Sequence, residues 1–168
     1  MKKLTLFLLL IGTLQANAQT NEIKIDILDI IAIRALDITY EHNINEESSV
    51  GLSALFNLEK ESADFRYNEE FVLTPYYRHY FSTTNNLKMF GDFYGALNTG
   101  NIPERKLEQI GDDNTYTDFG AGLGLGVKYT SDSGFVVDVH VGAARNLFNT
   151  DYSREVVPRV GISLGRQF

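Results

Sequence analysis

The chain has 168 residues, no cysteine, no tryptophan and a formal charge of −7. That length suits one domain, and the acidic balance argues against a nucleic-acid partner, because neutralising phosphates requires clustered lysine and arginine. Without cysteine a small exported domain has no disulfide staples, so its stability must come from another source.

The first signal is one of export. Lys2 and Lys3 precede an apolar run over residues 4–14, and Ala16-Asn17-Ala18 supplies the small-x-small pattern of a signal-peptidase site. The run is too short to span a bilayer, which needs roughly 20 residues as a helix. The sequence therefore predicts a cleaved signal peptide over 1–18 and one domain over 19–168. No cysteine follows the run to carry a lipoprotein anchor.

Alternation with period two then runs through eight segments, the pattern of strands with unlike faces. Ile23, Ile25 and Ile27 alternate with Lys24 and Asp26; Leu36, Ile38 and Tyr40 with Asp37, Thr39 and Glu41. Val50, Leu52, Ala54, Phe56 and Leu58 face away from Gly51, Ser53 and Asn57. In the fourth segment Phe71, Leu73, Tyr77 and Phe81 oppose Thr74, Tyr76, Arg78 and Tyr80, with Pro75 calling for a local bulge because proline cannot donate to a ladder. Leu87, Met89, Phe93 and Leu97 oppose Lys88, Asp92, Tyr94 and Asn98. The sixth segment sets Phe119, Ala121, Leu123, Leu125, Val127 and Tyr129 against Asp118, four alternate glycines and Lys128. Phe135, Val137, Val139 and Val141 oppose Asp138, His140 and Gly142, and Val160, Ile162, Leu164 and Phe168 oppose Arg159, Gly161, Ser163, Gly165 and Gln167.

Short polar connections (43–48, 82–86, 131–134) alternate with longer ones (59–70, 99–116, 147–156), as expected for a membrane barrel with short periplasmic turns and long extracellular loops. The first connection on the long-loop side, around 31–34, is short and apolar. Outward-parity Tyr40, Phe81, Tyr129, Phe135 and Phe168 fall beside the short turns or the C-terminus, and Phe56, Phe71 and Phe119 near the long loops. Those are the places for two interfacial girdles in contact with outer-membrane lipid.

The inward parity carries Lys24, Arg78, Lys88, Lys128 and Arg159 with Asp26, Asp37, Glu41, Asp92, Asp118 and Asp138. Eight strands leave a lumen that side chains can fill, and an unpaired buried ion costs several kcal/mol. These groups are therefore expected to pair across the lumen, with Gly120, Gly122, Gly124 and Gly126 making room for Arg78 and Arg159.

Three segments carry a family likeness: Leu73-Thr74-Pro75-Tyr76-Tyr77-Arg78-His79-Tyr80-Phe81, the glycine-alternating Thr117-Asp118-Phe119-Gly120-Ala121-Gly122-Leu123-Gly124-Leu125-Gly126-Val127-Lys128, and the closing Val157-Pro158-Arg159-Val160-Gly161-Ile162-Ser163-Leu164-Gly165. Together they resemble a small outer-membrane β-barrel family of unknown function. The resemblance implies an eight-stranded fold and a final strand read by the barrel assembly machinery through its terminal aromatic, here Phe168. Arg166 departs from that pattern by placing a charge at outward parity, where it can snorkel.

Chemistry is harder to find. The glycine series lacks the G-x-G-x-x-G spacing and strand–turn–helix context of a nucleotide loop. Asp138, His140 and Ser163 suggest a hydrolase constellation, but all three point into a narrow lumen, which favours structural hydrogen bonding. His42 and His79 have no ligand partner at metal spacing. Acidic loop residues 59–61 and Asp112-Asp113-Asn114 lack an EF-hand's continuation. Phe65, Tyr67, Phe148 and Tyr152 mark loops that a surface partner could touch.

The sequence thus predicts an all-β, eight-stranded antiparallel up-and-down transmembrane barrel in the outer membrane of a Gram-negative cell. It needs no cofactor, is not an enzyme, and has a structural or surface-interaction role through its loops, with no partner named. The alternatives are a narrow solute channel and a lipid-modifying barrel enzyme; for fold, the alternative is a soluble exported barrel.

Overall fold

The computed structural model describes residues 20–59, 69–84, 86–101, 115–148 and 153–168. Eight antiparallel strands close on themselves in sequence order: β1 (Asn21–Asp26), β2 (Ala35–Asn45), β3 (Ser48–Asn57), β4 (Glu69–Thr84), β5 (Leu87–Asn101), β6 (Thr115–Thr130), β7 (Phe135–Asn146) and β8 (Val156–Gln167). The predicted eight-stranded antiparallel barrel is the fold. Closure is made between β1 and β8, where Asn21 and Phe168 exchange backbone hydrogen bonds of 3.1 and 2.8 Å.

The three short connections lie at one end, here called the turn end. Asn45 organises the first, its Oδ1 accepting from the Glu47 N–H and the Ser48 hydroxyl, both at 2.9 Å, a side chain standing in for turn backbone. Gly134 shapes the third with φ of 81°, the left-handed region that glycine enters without penalty.

Burial follows the alternation. Tyr76, Arg78, Tyr80, Phe90 and Tyr94 are buried inside, while Leu123, Leu125, Phe93 and Val141 are exposed outside. The outward residues form an apolar belt around the barrel, with Phe56 and Phe71 in contact at 5.2 Å between ring centres.

Two expectations about the elements need correction. Ile27 does not extend β1: residues Ile27–Ala32 form a short helix, α1, capped by the Asp26 side chain, which accepts from the N–H groups of Leu28 and Asp29 at 2.9 and 3.1 Å. The acceptor at the cap takes donors that a helix start leaves free, so the chain leaves the sheet at Asp26. Pro75 makes no bulge. The β4–β5 register is the same on either side of it, Leu73 facing Leu97 and Tyr76 facing Tyr94, while Pro75 faces Leu52 on β3 in regular register. The β4 irregularities lie instead at Glu69/Phe71 and Tyr80/Ser82. The first of these turns Glu69 inward and leaves Glu70 exposed, since one extra residue reverses strand parity.

Candidate functional site: a charge-filled lumen

Glu41 on β2 is the hub of the turn-end half of the lumen. Its carboxylate accepts from Lys24 of β1 at 2.6 Å, Lys128 of β6 at 2.8 Å, and the hydroxyls of Tyr76, Tyr80 and Ser49 at 2.6, 2.7 and 2.8 Å. Arg78 Nη1 stands 3.3 Å away. All of these side chains are buried, so each polar atom needs a protein partner.

From the hub the network reaches around the barrel. Lys24 also donates to Asp138 at 2.8 Å, and Lys128 to Glu22 at 2.9 Å. Arg78 holds Asp92 with two hydrogen bonds, Nε at 2.7 Å and Nη2 at 3.1 Å, and reaches Asp138 with Nη1. Such a two-pronged guanidinium–carboxylate contact fixes orientation as well as charge. Arg159 joins from β8, 3.3 Å from Asp92. Four cations thus meet four carboxylates (Glu22, Glu41, Asp92 and Asp138) among the described residues.

Aromatic rings pack the remaining space. The Arg78 guanidinium lies 3.4 Å from the centre of the Phe90 ring, Lys128 lies 4.7 Å from that of Tyr80, and Arg159 lies 5.3 Å from both Tyr76 and Tyr94. Ring faces attract cations, more strongly where water is excluded. The glycines of β6 accommodate these rings rather than the arginines directly. A Cβ on Gly122 would stand 2.6 Å from the Tyr94 ring, and one on Gly126 would overlap Phe90.

Four of the predicted lumen charges stay outside the ion cluster. Asp26 caps α1 and accepts from Ser163 Oγ at 2.8 Å. Asp37 accepts from Ser53 Oγ at 2.5 Å. Asp118 accepts from Ser153 Oγ at 2.6 Å and from the N–H of Phe148 at 3.1 Å, tying down the chain after β7. Lys88 sits at the turn-end rim, where it donates to the Glu46 carbonyl at 3.2 Å. Parity alone put these groups inside; their height along the barrel sets which partners each of them meets. Glu22, buried at the hub, falls just before the first predicted segment but shares the parity of Lys24. Phe90, Ser49 and Glu69 carry no sequence signal beyond strand parity, which the bulge reverses at Glu69.

The outward aromatics Tyr40, Phe81, Tyr129 and Phe135 are exposed, and Phe168 is half-buried. Tyr40 lies in the middle of β2, yet its hydroxyl donates to Asn21 at 2.9 Å, because the strands are staggered. The hydrolase constellation does not assemble: Ser163 donates to Asp26, while His140 Nδ1 stands 3.6 Å from Asp138. His42 Nδ1 lies 2.8 Å from Asn21 Oδ1. Residues 1–18, Asp112-Asp113-Asn114, Phe65, Tyr67 and Tyr152 lie outside the described residues.

Fold and lumen together define a class: a closed eight-stranded barrel with an apolar outer belt and an interior filled by paired charges and rings. Within it, the chain belongs to the family described as "Protein of unknown function (DUF3575)", whose family model matches residues 4–155. The resemblance to a barrel family of unknown function is borne out. No curated protein matches the chain. Among solved structures it is similar to Neisserial surface protein A (NspA), with 13% identity and a TM-score of 0.55 over 88% of this chain and 93% of that one. It is also matched to Ail, the attachment invasion locus protein of Yersinia pestis, with 10% identity and a TM-score of 0.47 over 89% of this chain and 94% of that one. The likeness to the Neisserial protein is one of fold.

Proposed function

We propose that the protein is an outer-membrane barrel without an open pore, acting as a structural or surface-interaction scaffold through the loops opposite its short turns. The observation that carries this reading is the Glu41 cluster. It ties β1, β2, β4, β5, β6 and β7 together across the turn-end half of the lumen with buried ion pairs. An ion passing through would have to separate charges held at hydrogen-bond distance, at a cost of several kcal/mol. The outer belt supports the membrane setting. Leu123, Leu125, Phe93 and Val141 would be a continuous apolar surface in water, far beyond the scattered exposed residues of soluble proteins. An export signal over residues 1–18 and a terminal strand read by the assembly machinery belong to the same reading, as does a non-enzymatic role. Ser163 bonded to Asp26 is no nucleophile for His140.

Two measurements test it. Protein extracted in detergent should migrate differently in electrophoresis before and after boiling, and should give no conductance steps in a planar bilayer. Migration indifferent to boiling, with solubility in detergent-free buffer, would overturn the membrane setting. Regular conductance steps would overturn the closed scaffold in favour of a channel.

A further inference from the structure

β1 is the shortest strand, and its shortness leaves an interval in the barrel wall. It pairs with β8 only as far as Asp26 opposite Ser163, and with β2 only as far as Ile25 opposite Ile38. Beyond that level both neighbours continue, laddered on their far sides up to Ala35 opposite Asn57 and Arg145 opposite Val156. The near edges, 35–37 of β2 and 156–162 of β8, have no strand between them. Seven residues of β8 extend about 23 Å; the six residues of α1, packed against both strands, rise about 9 Å. Over this stretch side-chain packing, not a hydrogen-bonded ladder, closes the wall.

Directly behind α1 lies a cavity of about 220 Å³. Its walls are apolar, formed by Leu28 and Ile33 from the α1 connection, Leu55, Val72 and Ala96 from β3 to β5, and Val157 of β8. Its polar border carries Asp29, Asp37, His140 and Arg159. Leu28 and Val160 also border a depression on the outer face with Ile162 and Val141, so the same side chains separate the cavity from the lipid-side surface. Ile30 and Ile31 on α1 are exposed, Ile31 by 78%. At about 30 Å³ per water-sized group the cavity holds on the order of seven such groups. That suits one alkyl chain and is far too small for a phospholipid.

We propose that this cavity binds a single-chain alkyl amphiphile with an uncharged hydrogen-bonding end, admitted from the surrounding lipid past α1. The route rests on the membrane reading above. The alkyl part lies against Leu55, Val72, Ala96 and Val157. The polar end meets Asp37, His140 and Arg159, where a hydroxyl can donate to the carboxylate and accept from the guanidinium or imidazole. An anionic end is disfavoured, because Asp29 and Asp37 face the cavity and Arg159 is already 3.3 Å from Asp92.

The test uses the full barrel in lipid nanodiscs, with leucine, valine and isoleucine methyls labelled for NMR, titrated with 1-hexanol and separately with hexanoate. Hexanol should produce saturable shifts at Leu55, Val72 and Val157, with hexanoate about tenfold weaker, the order expected when a charged end lacks a partner. Ala96→Leu should abolish the response while keeping heat-dependent migration; if it fails to fold, Val157→Phe serves the same purpose. Inserted protein whose cavity methyls show no saturable shift, or shift equally in the filled variants, overturns the site alone. Equal affinity for hexanoate overturns the uncharged-end assignment. Protein that never enters nanodiscs overturns both this inference and the membrane reading.

Discussion

Glu41→Gln should destabilise the barrel by about 3–5 kcal/mol, the loss typical of breaking a buried ion pair from one side. The substitution keeps the shape of the side chain but leaves one acceptor oxygen, which can serve Tyr80 and Ser49 at the Oε1 position or Tyr76 at the Oε2 position, not all three. What it removes is the charge shared by Lys24, Arg78 and Lys128. Lys24 and Arg78 retain Asp138, and Lys128 retains Glu22, but the interior then holds one more cation than carboxylate in a place with almost no water. Urea titration of the heat-modifiable form in detergent measures the loss. Asp37→Asn is the internal comparison, since Asp37 is bonded to Ser53 and to none of the three cations; its cost should stay near 1 kcal/mol, that of one hydrogen bond. Combining Glu41→Gln with Lys128→Met should recover part of the stability, because the pair removed together leaves no net charge behind. A Glu41→Gln protein as stable as the parent would mean that the cluster is solvated and that the lumen is not sealed.

The balance of this interior was legible in the sequence, but its centre was not. Alternation with period two follows from the pleat, so facing could be read for Lys24, Glu41, Arg78 and Asp138 without knowing where each strand sits relative to the next. Which charges meet depends on stagger, and stagger leaves no trace in a single strand. Asp26 and Asp37 share the inward parity of Glu41 but lie nearer the loop end, where Ser163, Ser53 and backbone N–H groups take the place of lysines. The helix α1 was hidden for a different reason. Ile27-Leu28-Asp29-Ile30-Ile31-Ala32 is too short for a 3.6-residue period to separate from an apolar strand end. The cue present was Asp26 itself, an inward carboxylate that also serves as a helix cap. The cavity behind α1 depends on both of these facts and so could not be derived from the sequence.

The second large effect concerns the glycines of β6, which are not equivalent. Gly126→Ala should prevent formation of the heat-modifiable barrel, whereas Gly124→Ala should leave it nearly intact. A Cβ on Gly126 would overlap both the Phe90 ring and the Val139 carbonyl on β7. The carbonyl belongs to the β6–β7 ladder, where Gly126 faces His140 and Val127 faces Val139, so it cannot retreat without disturbing strand pairing. Moving the ring has its own consequence. The Arg78 guanidinium rests 3.4 Å above Phe90 while bonded to Asp92 and Asp138, so a displaced ring pushes on the cation that links both carboxylates to the Glu41 hub. Overpacking a filled interior costs about 1–3 kcal/mol, occasionally more, and disturbing the buried pairs adds to it. At Gly124 the nearest atoms are the Val141 carbonyl at 3.3 Å and Asp92 Cβ at 3.6 Å, a fit that needs only a small adjustment. Refolding both variants side by side and comparing the fraction that shifts on boiling separates the two positions. If both fold alike, the rings of β5 do not occupy the space that the β6 glycines leave, and the packed interior on which the closed-pore reading depends is wrong.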